Sequence, residues 1–235
     1  MNRLLTLAAA ALVFSGCAND SPLYVTGFYS ADPLNTGDCQ LTAGAVQQGA
    51  GSLDLSGSSD YQLVVALRSE LDATLDTKAD TVKLVTGMQR NTVIIDTVNF
   101  VYTSAPTSTV ASVTYEAESV PVAFVLAPGS PATFRMGIIG PKAFEALSKA
   151  VANAGETSEL RVRIQFAGSI LSGGRIASSP ISFPITVFRS GFSCSAGTFL
   201  CRTGACGNVG GQDGSPLVCS TASPDGGVST CAPTK

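Results

Sequence analysis

Residues 160–166 alternate without a break, with Leu160, Val162, Ile164 and Phe166 on one side and Arg161, Arg163 and Gln165 on the other. A period of two sends successive side chains to opposite faces of a strand. The segment therefore predicts an antiparallel sheet with one face buried and one in water, rather than a parallel sheet covered on both. The rhythm recurs over 92–103, where Val98, Phe100 and Tyr102 face one way and Thr97, Asn99 and Thr103 the other. Leu53 and Leu55, then Leu63, Val65 and Leu67, stand on either side of Gly57-Ser58-Ser59-Asp60 and predict a hairpin. Residues 23–30, 110–118, 120–126, 133–139 and 181–188 complete the candidate strands, separated by Gly and Pro punctuation. Pro184 has no N–H to give a ladder, which places its strand at an edge or a bulge. Many short strands of this kind predict a β-sandwich.

Residues 141–153 break the alternation. Phe144, Leu147, Val151 and Ala154 fall at helical spacing, with Pro141 suited to the first turn and Gly155 to the C-terminal cap. Glu145 and Lys149 lie four apart on what the helix predicts to be its solvated face. After Arg189 the composition shifts to Gly, Ser, Thr, Pro and Cys, without an apolar run long enough for a core strand. Bridges rather than burial are expected to hold this tail.

The amino terminus changes the picture. Arg3 precedes an apolar run over 4–14, which is a signal peptide in outline and is too short to cross a hydrocarbon core of roughly 30 Å as a helix. The run ends in Val13-Phe14-Ser15-Gly16-Cys17, which resembles the lipobox of bacterial lipoproteins, with Phe14 where an aliphatic residue is usual. The resemblance implies cleavage before Cys17, a diacylglycerol thioether on its sulfur and a further acyl chain on the new amino terminus. At about 0.8 kcal/mol per buried CH₂, two or three such chains make attachment to the bilayer effectively permanent. Ala18 follows the cysteine where a retained enterobacterial lipoprotein carries Asp, so the same resemblance implies an outer-membrane address, on its periplasmic face or at the cell surface. Removing residues 1–16 takes away Arg3 and no acid, leaving 13 basic against 17 acidic side chains, one charge more negative than the −3 of the full sequence. With that mild acidity spread along the chain, nucleic-acid binding, which needs clustered Lys and Arg, is not expected.

Of the seven cysteines, acylation of Cys17 leaves six: Cys39, Cys194, Cys201, Cys206, Cys219 and Cys231. Five crowd the tail. An odd set cannot close on itself, so in an oxidising compartment Cys39 is the expected partner of one tail cysteine, with fifteen pairings open for the whole set. A structural metal site is not expected, since no C-x-x-C and no histidine occur. The order of parts also resembles bacterial lipoproteins that join an immunoglobulin-like body, closed by a strand of the Phe183-Pro184-Ile185-Thr186-Val187 kind, to a cysteine-rich end. That likeness brings no activity with it. The expected fold is mainly β: an antiparallel immunoglobulin-like β-sandwich with one short helix at about 141–153 and a disulfide-rich irregular C-terminal tail. The expected division is a signal peptide over 1–16, a lipidated tether over 17–22, a sandwich over 23–190 and a tail over 191–235.

Candidate chemistry is thin. With no histidine, Ser-His-Asp and Cys-His arrangements are excluded. Gly49-Ala50-Gly51 lacks the third glycine of a dinucleotide loop and no Gly-Lys pair offers a P-loop, so no nucleotide and no cofactor are expected. Two carboxylates suffice for glycoside hydrolysis, and Asp60, Asp96, Glu116 and Glu118 are candidates to meet in space. Trp is absent, however, so the aromatic platform common in sugar sites is missing, and Glu116 and Glu118 are expected on a solvated strand face. Asp72, Asp76 and Asp80 do not follow the EF-hand order of alternate acids and a glycine. The sequence thus favours a membrane-displayed structural or recognition module, with an envelope protein as a possible partner class. A carboxylate-dependent hydrolase acting on an envelope or extracellular polymer is the alternative.

Overall fold

The computed structural model describes residues 21–29, 47–71, 90–107, 110–196, 198–201 and 210–221. The fold is mainly β, with eleven strands and one helix among these residues. β1 (Leu23–Tyr29), β3 (Gln62–Ser69) and β6 (Pro131–Gly137) form an antiparallel three-stranded sheet in the order β1-β3-β6. The larger sheet is built from β2 (Gly51–Asp54), β4 (Val93–Ala105), β5 (Glu118–Leu126), β7 (Thr157–Ile170), β8 (Arg175–Ala177) and β9 (Ile181–Phe188). Its order is β2-β9-β7-β4-β5, with β8 added to β7. The tail contributes an antiparallel pair, β10 (Thr198–Cys201) with β11 (Val218–Thr221).

The two larger sheets share one core. Leu160, Val162, Ile164 and Phe166 are buried together with Val98, Phe100, Tyr102, Phe183, Ile185 and Val187 from one sheet and Leu63, Val65 and Leu67 from the other. Full burial of each such side chain contributes roughly 1.5–3 kcal/mol. Aromatic rings join the sheets, with Phe134 edge-on to Phe166 at 5.4 Å and Phe28 edge-on to Phe183 at 5.1 Å between centroids. The alternation over 160–166 and 98–102 therefore reads the inward face correctly. In β4 the phase is reset between Ile95 and Thr97, where the register slips against both neighbours: Asp96 is the extra residue against β7, whereas against β5 the extra residue lies on β5, between Pro121 and Phe124. This bulge lets Ile95 and Val98, three apart, both face the core. The backbones close tightly there, since a Cβ on Gly168 of β7 would strike the Ile94 carbonyl oxygen.

The expected 53–67 hairpin does not form. β2 runs parallel to β9, from Gly51 opposite Ile185 to Asp54 opposite Phe188, whereas β3 belongs to the other sheet. Leu53, Asp54 and Leu55 are all buried, so both faces of this short segment are covered, a situation that suits a parallel neighbour better than a hairpin arm. The chain crosses between sheets through the Asp54–Ser58 turn, in which Gly57 N and Ser58 N donate to Asp54 O. Pro184 lies one residue before the β2 ladder begins, so the first half of β9 has a strand only on its β7 side. The missing donor is tolerated because that half is an edge. The 110–118 stretch is not a strand until Glu118. Ser104 Oγ instead accepts from Val113 N at 2.8 Å and folds the segment back on the end of β4.

Helix α1 (Pro141–Ala150) starts where the sequence predicts and ends three residues sooner. Leu147 and Val151 are buried and Phe144 is partly so, but Ala143 replaces the exposed Ala154 on the core face. Arg189 Nε donates to Val151 O at 2.8 Å, and the Glu156 carboxylate accepts from Asn153 N and Asn153 Nδ2, both at 2.8 Å. These contacts hold the chain in a turn that a further helical residue would break. Lys149 and Glu145 make the i,i+4 pair at 2.6 Å, exposed and therefore worth only a few tenths of a kcal/mol.

Candidate functional site

The cysteines divide between described and undescribed segments. Cys194 and Cys219 form a disulfide that staples the start of the tail to β11. Cys201 ends β10, while Cys17, Cys39, Cys206 and Cys231 lie outside the described residues, as do Asp72, Asp76 and Asp80. The expected bridge from Cys39 to the tail therefore falls outside them as well.

The candidate carboxylates separate into three places. Asp96, pushed outward by the β4 bulge, pairs with Arg175 of β8 at 2.7 Å, and Thr97 Oγ1 also donates to it. These two hydrogen bonds hold the Asp96 carboxyl below its ordinary value. Glu116 pairs with exposed Lys142 at the start of α1. Asp60 and Glu118 do meet around one segment, the approach to α1. Asp60 Oδ1 accepts from Ile139 N at 3.0 Å and Oδ2 from Gln62 Nε2 at 2.6 Å. Glu118 Oε1 accepts from Ala143 N at 3.0 Å, and the Tyr102 hydroxyl accepts from Gly140 N at 3.0 Å. Gly140 is the N-cap residue and offers no side chain. Glu118, reaching over from β5, supplies the missing cap and sets a negative charge at the positive end of the helix. Burial pushes the Asp60 carboxyl up, in spite of the N–H donors around it, and raises the Tyr102 phenol, with the Glu118 and Asp60 charges adding to that rise. Chemically the cluster fixes the helix start: both acids direct an oxygen at a main-chain N–H.

A second polar cluster was not legible in the sequence. Tail residues 210–215 lie along the outer edge of β2, with Asp54 N donating to Gly211 O at 2.8 Å and Asp213 N to Ser52 O at 2.9 Å. Gln212 is buried and pairs with the main chain of Gln62, accepting from its N at 2.9 Å and donating to its O at 2.7 Å. Asp213, in a left-handed conformation at φ 50°, accepts from Ser52 N, from Gln48 Nε2 and from the hydroxyl of fully buried Tyr61. Burial, followed by the hydrogen bond and charge of Asp213, drives the Tyr61 phenol far above its ordinary value. Leu217 seats over Gly57, where a Cβ would collide with it. The tail is thus held to the body by buried polar contacts, while the Cys194–Cys219 bridge joins two parts of the tail itself, a correction to the expectation that bridges rather than burial would serve. Gln and Asp in a Gly-rich stretch carry no periodic signal that announces such docking.

The solvent face of the larger sheet carries a concavity of about 390 Å³ over β4, β7 and β9. Its floor is two rows of register partners, Ala105–Glu159–Thr186 and Thr103–Arg161–Pro184, and Ala50 stands at the rim. Small residues on the flanking strands leave depth on either side of the two long side chains of β7. Neither the Glu159 nor the Arg161 side chain has an ion-pair or hydrogen-bond partner among the described residues, although the two line the same hollow. The alternation over 160–166 already placed Arg161 outward, but which strands flank it, and that they leave a hollow, is decided by sheet order. Comparison with known protein families and with curated proteins finds no match to this chain.

Proposed function

We propose that this protein is a membrane-anchored envelope lipoprotein whose immunoglobulin-like β-sandwich acts as a recognition module, with the hollow over Glu159 and Arg161 as its contact surface. The observation that carries the reading is this hollow, built on three adjoining strands and lined by two opposite charges whose side chains have no partners among the described residues. Strands fix such groups more firmly than loops do, and a volume of this order suits a small ligand. The anchor is lipid on Cys17, as the lipobox resemblance implies, at the outer membrane as Ala18 implies. Residues 18–22 extend at most about 18 Å before β1 begins, so the body stands close to the bilayer. Cys39 is proposed to bridge to a tail cysteine, adding to the Cys194–Cys219 staple. A carboxylate-dependent hydrolase has less support, because Asp60 and Glu118 are engaged by main-chain donors at the helix start.

Two experiments test this. Metabolic labelling with a fatty-acid analogue should mark the wild type and leave Cys17→Ala unlabelled and uncut; a labelled Cys17→Ala protein refutes the anchor. Affinity capture from envelope extracts should yield a component that Ala105→Trp, which fills the hollow, no longer retains. Equal capture by the two proteins refutes the recognition surface.

A further inference from the structure

Resting on that recognition reading, we propose that the hollow over β7 takes a short zwitterionic peptide, with its amino terminus at Glu159 and its carboxylate at Arg161. Glu159 and Arg161 are two apart on one strand, so they project from the same face with Cα atoms about 6.6–6.8 Å apart. A dipeptide with free termini, extended at roughly 3.3–3.6 Å per residue, spans about the same length. The match is in charge as well as reach. The guanidinium presents a planar fork that takes a carboxylate through two parallel hydrogen bonds, and the Glu159 carboxylate accepts from an ammonium.

The surroundings fit this occupant better than an acidic or a neutral sugar. An anion alone would meet Arg161 but also the Glu159 charge beside it, and a cation alone would meet the reverse. Among the described residues no aromatic side chain lines the hollow, so they offer no stacking platform of the kind common to sugar sites. Thr103 beside Arg161 and Thr186 beside Glu159 bring hydroxyls to either end, each able to donate or accept to a peptide group. Ala105 and Pro184, diagonally opposite, leave room for small side chains. Arg163, the next outward residue of β7, adds positive charge beyond the carboxylate end and favours this orientation over its reverse.

The probe is Ala-Ala, titrated into the full lipidated chain in detergent with amide NMR as the readout. Saturable shifts should be confined to the neighbourhoods of residues 103–105, 159–161 and 184–186. Acetylating the amino terminus or amidating the carboxylate should each weaken binding three- to tenfold. In Arg161→Gln the free dipeptide and its amide should bind alike, and in Glu159→Gln the free and acetylated forms should bind alike, because each variant removes the group that tells them apart. Neither side chain contacts another described residue through hydrogen bonds or ion pairs, so both variants should keep the wild-type spectrum elsewhere. Absence of saturable shifts, equal affinity for the blocked and free peptides, or full discrimination retained in Arg161→Gln would each overturn the proposal. If Ala105→Trp abolishes envelope capture while Ala-Ala does not bind, the ligand class alone is refuted and the recognition surface stands.

Discussion

Replacing Gln212 by Ala should loosen the tail without unfolding the body. The Gln212 side chain makes two hydrogen bonds to the main chain of Gln62 and is only 3% exposed. A typical intramolecular hydrogen bond contributes about 0.5–1.5 kcal/mol net, and leaving the Gln62 N–H and carbonyl without partners adds to the loss. Gln62 is itself only half-buried, so water can reach it in part, and a total near 2–3 kcal/mol is reasonable for the pair. The loss should appear as local opening, because the disulfide spans a 25-residue separation and keeps the released segment close to its seat. The main-chain contacts of Gly211 and Asp213 with β2 should open with it. Hydrogen exchange reads this directly: the amides of Gly211, Asp213, Ser215 and Gln62 should exchange about 30- to 150-fold faster, the factor corresponding to that free energy. The β4 and β7 amides should not change, since their ladders join two strands that contribute the centre of the core and make no contact through Gln212. Tail amides exchanging at wild-type rates would show that the buried amide does not hold the segment. Parallel loss of protection in β4 and β7 would show that tail and sheets open as one unit.

Ser158 Oγ is buried on the inward face of β7 without a hydrogen-bond partner among the described residues, so Ser158→Ala should raise stability in urea denaturation by about 1 kcal/mol; a loss of stability would contradict the accounting of that hydroxyl. Glu118→Ala removes the cap of α1 and should cost about 1–2 kcal/mol, with faster exchange at Ala143 first, whereas unchanged exchange there would mean that water caps the helix equally well. Asp60 has its folded-state pKa raised above the ordinary 3.8, so ionising it opposes folding and stability falls as pH rises from 3.8 through the folded value. Asp60→Asn removes this dependence, and the wild type should therefore gain stability relative to the variant when urea midpoints are compared at pH 7 and pH 4; an unchanged difference refutes the assignment. Asp54 acts in the opposite sense and at lower pH. Burial works to raise its pKa, but the donors of Ser190 and Ser56 overcome this and hold it below 3.8, so its contribution is complete above that pH and is lost on further acidification.

The inward faces of β4 and β7 and the start of α1 at Pro141 were determined by the sequence alone. Each follows from a local rule: alternation decides which side chains of a strand can be buried together, and a proline suits the first helical turn whatever surrounds it. The tertiary structure decided the partners. Leu53 and Leu63 sit on either side of a turn that reads as a hairpin, yet β2 and β3 enter different sheets, because pairing with β9 buries both faces of β2 and a hairpin would have exposed one. Glu118 caps a helix more than twenty residues away, and Gln212 closes the end of β3 from 150 residues away. Such contacts depend on side chains that bear no periodic pattern and on ladders formed between distant segments. The hollow over Glu159 and Arg161 belongs to the same category: the sequence turned Arg161 outward, and the order β9-β7-β4 set the small residues beside it. Facing follows from the two-residue repeat of the chain itself, whereas neighbourhood follows from which distant segments bury the most surface against one another.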